Sequence, residues 1–194
     1  MLTESERIDL ETRVICSLRG CNREGMDKLI IWLQRETDFF TAPASTRFHG
    51  AYRGGLLEHS YTVMKRLREL CNFYCNVGYT PQQIAICGLL HDLCKINMYK
   101  ESYRNVKNTE SGKWEQVPSY AVEEEKPFGG HGSKSVFLIS QFVKLSWEEA
   151  SAINCHMGAW DNSTYSNPSK VYEENYLAWL LHVADECATY IDKT

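Results

Sequence analysis

At 194 residues, with a 43% hydrophobic fraction and a formal net charge of −4, the chain has room for one domain with a real core. Its charge balance excludes a surface that coats nucleic acid by bulk electrostatics. The start, Met1-Leu2-Thr3-Glu4-Ser5-Glu6-Arg7, lacks a basic region followed by an apolar core, and no apolar run reaches membrane-spanning length. The sequence therefore reads as soluble and cytoplasmic, with no membrane contact and no obligate protein partner. The eight cysteines include no Cys-x-x-Cys pair. In a reducing compartment they read as small buried hydrophobes, with a cysteine-based zinc site as the minor alternative.

In chain order, 4–18 and 24–36 read as two helices, the second with Leu29, Ile30, Trp32 and Leu33 on an apolar face. A long Gly-containing connection over 37–55 carries Arg47, His49, Tyr52 and Arg53, and long ordered loops are often functional. A helix over 56–75 follows, with His59 in its first turns. Thr80-Pro81 is a helix start, a hydroxyl cap followed by proline at the first helical position. That helix is expected to run through Ile84, Ile86, Leu89 and Leu90 to His91-Asp92. The periodicity then changes, and 103–107 and 113–117 around Thr109-Glu110-Ser111-Gly112 predict a β-hairpin. His131 leads a helix over 134–143. Ser146-Trp147-Glu148-Glu149 resembles a capping box, and its helix carries His156. A loop over 158–170 holds Trp160, Asp161 and Tyr165. A last helix over 173–191 carries His182 and Asp185. The expected fold is all-α, a helical bundle with a small β-hairpin insertion near 103–117. One domain spans 1–194, with N-terminal helices over 1–36 and the main body over 37–192.

Of the six histidines, His59, His91, His131 and His156 each fall on or at the start of a different predicted helix, and Asp92 and Asp185 add carboxylates on two helices, Asp92 beside His91 and Asp185 on the last. An imidazole and a carboxylate side by side at the end of an apolar run need a partner, since burying either alone costs several kcal/mol. A bundle can project donors from several helices to one interior point. Six such donors exceed what one tetrahedral ion needs and suit two divalent ions, with Asp92 as the natural bridge. The mix accepts iron, manganese, nickel, cobalt or zinc. Two ions roughly 3.5–4 Å apart hold a hydroxide and clamp a phosphoryl oxygen, so the expected reaction is hydrolysis of a phosphate ester.

The spacing of His59, His91-Asp92 and Asp185 resembles the HD-domain metal-dependent phosphohydrolase superfamily, pattern H…HD…D. His131 and His156 extend the likeness to its binuclear branch, H…HD…H…H…D. Pro43-Ala44-Ser45, Phe48-His49-Gly50, Gly54-Gly55-Leu56-Leu57-Glu58-His59-Ser60, Gly88-Leu89-Leu90-His91-Asp92 and Leu181-His182-Val183-Ala184-Asp185 are similar to the HD domain of bacterial 3′–5′ exoribonucleases. Phe128-Gly129-Gly130-His131-Gly132-Ser133-Lys134-Ser135 is similar to uncharacterised phage and gut-bacterial HD hydrolases. The exoribonucleases' OB domain has no counterpart here, and their tandem histidine is replaced by His156-Met157. The resemblance implies an HD-domain bundle, His59, His91, Asp92, His131, His156 and Asp185 as metal ligands, and a phosphate-ester small molecule or short nucleic acid as substrate.

Catalytic roles are expected for Asp92 and Lys95, the latter three residues on and able to neutralise a phosphate oxygen. Lys95, Lys134, Arg53 and Arg47 are the candidate phosphate contacts, and His49 is a candidate substrate group by the same resemblance. His182 reads as a packing residue, as do the aromatics Trp160, Tyr165 and Tyr103. A di-iron oxygenase with the same ligands and a non-catalytic nucleotide-binding module are the alternative functions.

Overall fold

The computed structural model describes residues 1–74, 78–123, 128–160 and 168–194. Among them the chain forms α1 (Glu4–Arg19), α2 (Met26–Arg35), α3 (Gly55–Phe73), α4 (Pro81–Leu90), β1 (Tyr99–Lys107), β2 (Trp114–Val122), α5 (His131–Ser140), α6 (Trp147–Cys155), α7 (Ser169–Glu174) and α8 (Tyr176–Cys187). The predicted Cys75, Asp161 and Tyr165 lie outside the described residues. No helix among the described residues is long and apolar enough to cross a membrane.

Helix starts follow the local chemistry. Thr80 caps α4, its hydroxyl accepting from the Gln83 amide at 3.2 Å while the Gln83 side chain accepts from the Thr80 amide at 3.0 Å. Ser146 and Glu149 make the same reciprocal pair at the start of α6. Each box satisfies amides that the helix itself leaves unpaired.

Helix α4 sits at the centre. Every residue from Ile84 to Leu90 is buried, so it has no polar face and must be surrounded on all sides. It packs against α3, α6 and α1. Val14, Leu18, Leu29, Ile30 and Leu33 of α1 and α2 join the same buried cluster as Leu57, Met64, Leu89, Ile153 and Leu181. Gly88 allows the closest of these approaches. A Cβ there would lie 2.8 Å from Met64 Cβ, 2.9 Å from Met64 N and nearer still to Met64 Cα, so α3 and α4 touch backbone to backbone. Gly132 does the same for α5 and α6, since its Cβ would lie 2.6 Å from Ile153 O.

The structure revises three boundaries. Helix α4 ends at Leu90, and Leu93–Lys95 form one 3₁₀ turn instead of a continued α-helix. The predicted last helix is two. Asn175, at φ −136° and ψ 93°, breaks it because its buried amide is engaged elsewhere: Nδ2 donates to Glu148 O at 2.9 Å and Ser151 Oγ at 2.7 Å, while Oδ1 accepts from the Leu177 amide. The hairpin runs beyond 103–117, with Tyr99 paired to Val122 and Lys107 to Trp114. Its base is held on the body, where Thr46 O accepts from Tyr120 N at 3.2 Å and Ser119 Oγ at 3.1 Å, and these anchors extend the ladder.

Arg23 ties the α1–α2 connection to α6. Its guanidinium forms two bonds of 2.5 and 2.6 Å to Glu149, whose side chain is fully buried. Removing the cation strands a buried carboxylate. Arg23→Ala is therefore expected to destabilise the fold by about 3 kcal/mol, measured by urea unfolding. The pair Arg23→Met with Glu149→Leu recovers most of that loss if the cost is the stranded charge.

Candidate metal centre

Because α4 is enclosed, the residues just past its end are delivered into the interior. His91 and Asp92 follow Leu90 directly, and both are buried. Around them α3 brings His59, α8 brings Asp185, and the end of α6 brings His156.

The two oxygens of Asp92 face different neighbours. Oδ2 lies 3.7 Å from His59 Nε2, 3.5 Å from His91 Nε2 and 2.7 Å from Lys95 Nζ. Oδ1 lies 3.4 Å from His156 Nε2 and 3.9 Å from Cys94 Sγ. Asp185 Oδ1 closes the first side, 3.0 Å from His59 Nε2 and 3.9 Å from His91 Nε2. Three donor groups result: His59, His91 and Asp185; His91, Asp92 and His156; and Asp92, Cys94 and His131.

The far side of each inner imidazole is spoken for. His59 Nδ1 donates to Thr194 O at 3.1 Å, His91 Nδ1 to Gly88 O at 3.0 Å, and His156 Nδ1 to Ile153 O at 2.7 Å. A carbonyl only accepts, so the proton sits on Nδ1 and the lone pair on Nε2. All three Nε2 atoms are buried without a well-aligned hydrogen bond. Buried polar atoms are ordinarily satisfied. Lone pairs of this kind beside two carboxylates fit a divalent ion.

The charges are strongly perturbed. Burial pushes His91 down to about 4 against the pull of Asp92 and Asp185, so it is neutral near pH 7. His156 feels the same burial, but its hydrogen bond and charge interaction with Asp92 outweigh it and raise its pKa. For Asp92, burial is overcome by Lys95 and His91, which hold it well below the usual carboxylate range. Asp185 is likewise held low, burial being outweighed by the His59 imidazole 3.0 Å away. Lys95 is buried yet raised, because the Asp92 charge prevails over desolvation.

A pH dependence follows. A histidine raised above its ordinary value of 6.5 stabilises the ion-free fold below that pH, and the contribution is lost as pH rises through its folded pKa. An ion needs the neutral ring, so binding displaces that proton. Apparent metal affinity is expected to rise from about pH 6 to about pH 8, read by calorimetric titration in both buffers. A flat profile contradicts the role of His156.

Among the other predicted residues, Lys95 faces Asp92 as expected, on a 3₁₀ turn where residues three apart eclipse. His131 opens α5 and joins through Asp92 and Cys94. Lys134, half-buried in the first turn of α5, acts electrostatically on Cys94. His49 packs against His59 with the rings tilted and their centroids 5.1 Å apart, and burial with the charges of His59 and Lys95 drives it down to about 4. It lines a cleft of about 520 Å³ with Phe48, Thr189, Tyr190 and Lys193. Arg47 is exposed and lies over the Phe48 ring at 5.0 Å. Arg53 is also exposed, and its charge acts on Glu4 and Tyr120. His182 donates from Nδ1 to His156 O at 2.7 Å and stacks on Tyr172. Trp160 and Tyr103, expected to pack, are 77% and 70% exposed. For Cys94 the sequence favours a small buried hydrophobe, with a cysteine-based zinc site as the minor alternative. Its place two residues after Asp92 was the available signal, but adjacency alone does not say which way a thiol points.

A family model described as HD domain matches residues 56–190. No curated protein and no solved structure matches the chain. HD domains bind divalent metals and are mostly metal-dependent phosphohydrolases. The match covers His59, His91, Asp92, His131, His156 and Asp185 and more than half of the chain, and the chain belongs to the HD-domain family.

Proposed function

We propose that the chain is a metal-dependent phosphohydrolase that cleaves a phosphate ester of a nucleotide, an oligonucleotide or a related compound. The observation that carries this reading is the two-sidedness of Asp92, whose oxygens face His59 and His91 on one side and His156 on the other. His59, His91, Asp92 and Asp185 hold one divalent transition-metal ion, and Asp92, His131 and His156 hold a second. Bound there, such ions supply a lowered water pKa and positive charge for phosphoryl oxygens.

The chain's own groups do the rest. The Nδ1 contacts of His59, His91 and His156 keep each Nε2 aimed inward, where it carries the lone pair of the neutral ring. Lys95 brings a buried ammonium to the Oδ2 side of Asp92, where it neutralises a non-bridging phosphate oxygen. His49, neutral near pH 7, hydrogen-bonds substrate at the inner end of the cleft it shares with Phe48 and Tyr190. Lys134, Arg47 and Arg53 contribute positive charge toward the phosphate.

The test is metal analysis of the native protein, followed by a broad panel of phosphate monoesters and diesters with an Asp92→Ala control. Two ions per chain and phosphate release that the variant lacks are expected. One ion per chain overturns the two-ion assignment. Oxygen uptake by an iron-loaded protein that releases no phosphate, or tight nucleotide binding without turnover, overturns the hydrolase.

A further inference from the structure

Cys94 occupies a position that the six-donor set does not use. It lies in the middle of the 3₁₀ turn that follows Asp92, and it is buried. Its amide donates to the fully buried Ser135 Oγ at 3.0 Å, which fastens the turn to α5, the helix that His131 opens. Its sulfur is 3.9 Å from Asp92 Oδ1, and the donor atoms of Asp92, Cys94 and His131 all lie within 4.8 Å of one another. A second observation points to the same place. The fully buried His156 Nε2 has no well-aligned hydrogen bond and sits 3.4 Å from that same Oδ1. No other cysteine among the described residues belongs to a donor group.

We propose that the Cys94 thiolate is a ligand of the ion held on the Oδ1 side of Asp92. Metal–sulfur bonds are about 2.3 Å and metal–oxygen bonds about 2.1 Å, which at a tetrahedral angle puts the two donors roughly 3.5 Å apart. The observed 3.9 Å is within a small adjustment of that. As the bond forms, the thiol proton passes to solvent. The consequence is chemical selectivity. One side of the centre is imidazole and carboxylate alone, whereas the other adds a soft thiolate. That side selects zinc, iron or cobalt over manganese or magnesium. The inference rests on the two-ion reading above and refines one half of it.

The experiment uses cobalt(II) added to the metal-free full chain of wild type, Cys94→Ser and Cys94→Ala. Cobalt is counted by elemental analysis, and the fold is checked by circular dichroism. Wild type is expected to show a near-ultraviolet thiolate-to-cobalt charge-transfer band that both variants lack. Two cobalt ions without that band overturn thiolate ligation and leave two-ion binding standing, and a band that persists in Cys94→Ala overturns ligation by Cys94 whatever the ion count. One ion with a Cys94-dependent band upholds the ligation and overturns two-ion binding. One ion or none, without the band, overturns both. If neither variant folds, X-ray absorption on the zinc-loaded wild type decides. A sulfur scatterer at about 2.3 Å supports the ligand, and a shell of nitrogen and oxygen alone rejects it.

Discussion

Asp92→Ala is expected, on the two-ion assignment proposed above, to remove both ions from the isolated protein and to lower metal affinity by at least about 100-fold, since even residues that merely support a ligand cost up to that much. The reason lies in how the carboxylate is shared. Oδ2 stands among His59, His91 and Lys95, whereas Oδ1 stands beside His156 and Cys94. No other side chain among the described residues appears in two of the three donor groups except His91, which shares only the first side and the middle. The substitution also strands Lys95, a buried ammonium whose charge is sustained by Asp92, and a buried charge without its partner costs about 3 kcal/mol. Asp92→Asn separates the two effects. It keeps the shape and a hydrogen bond to Lys95 but carries no charge to bridge two cations. Metal content by elemental analysis and stability by urea unfolding are the readouts. A protein that kept two ions after either change would disprove the bridging role.

Gly88→Ala is expected to damage stability and metal binding together, although Gly88 carries no functional group. The added methyl meets the backbone of Met64, so α3 and α4 must separate. Overpacking of this kind costs about 3 kcal/mol at the upper end of its range. His59 rides on α3, and His91 lies just past the end of α4 and donates to Gly88 O. A shift of about 1 Å between them costs on the order of 100-fold in a pre-organised site. Because the nearest atom is Met64 Cα and not the thioether, the double variant with Met64→Ala is expected to recover little. Thermal unfolding with and without zinc tests both parts. Full recovery in the double variant would show that the side chain, not the backbone, sets the spacing.

The candidate centre was visible in the sequence to an unequal degree. His59, His91, Asp92 and Asp185 stood out because charged and imidazole groups inside apolar helical runs demand a partner, and the structure buries three of them fully or nearly so with Asp185 beside them. Helix starts at Thr80 and Ser146 were equally plain, since capping is a contact over three residues. Asn175 was missed as a helix break. Its periodic surroundings continue the helical pattern, and its reason for breaking it is a pair of hydrogen bonds to residues more than twenty positions away. The hairpin's full extent depended in the same way on Thr46, a loop residue distant in sequence.

The sequence by itself determined the candidate donors, their order along the chain and their separation onto different helices, because residue type and apolar periodicity are local properties. It also determined that the segment ending at Leu90 is apolar on every side, and so that whatever follows is carried inward. Tertiary structure alone decided which oxygen of Asp92 faces which histidine, that the ammonium of Lys95 is held against that carboxylate, and that Cys94 stands at its other oxygen. Those directions are set by α3, α5, α6 and α8 closing around the end of α4 at distances fixed by Gly88 and Gly132. Side-chain direction at a helix end has no period that a sequence can display.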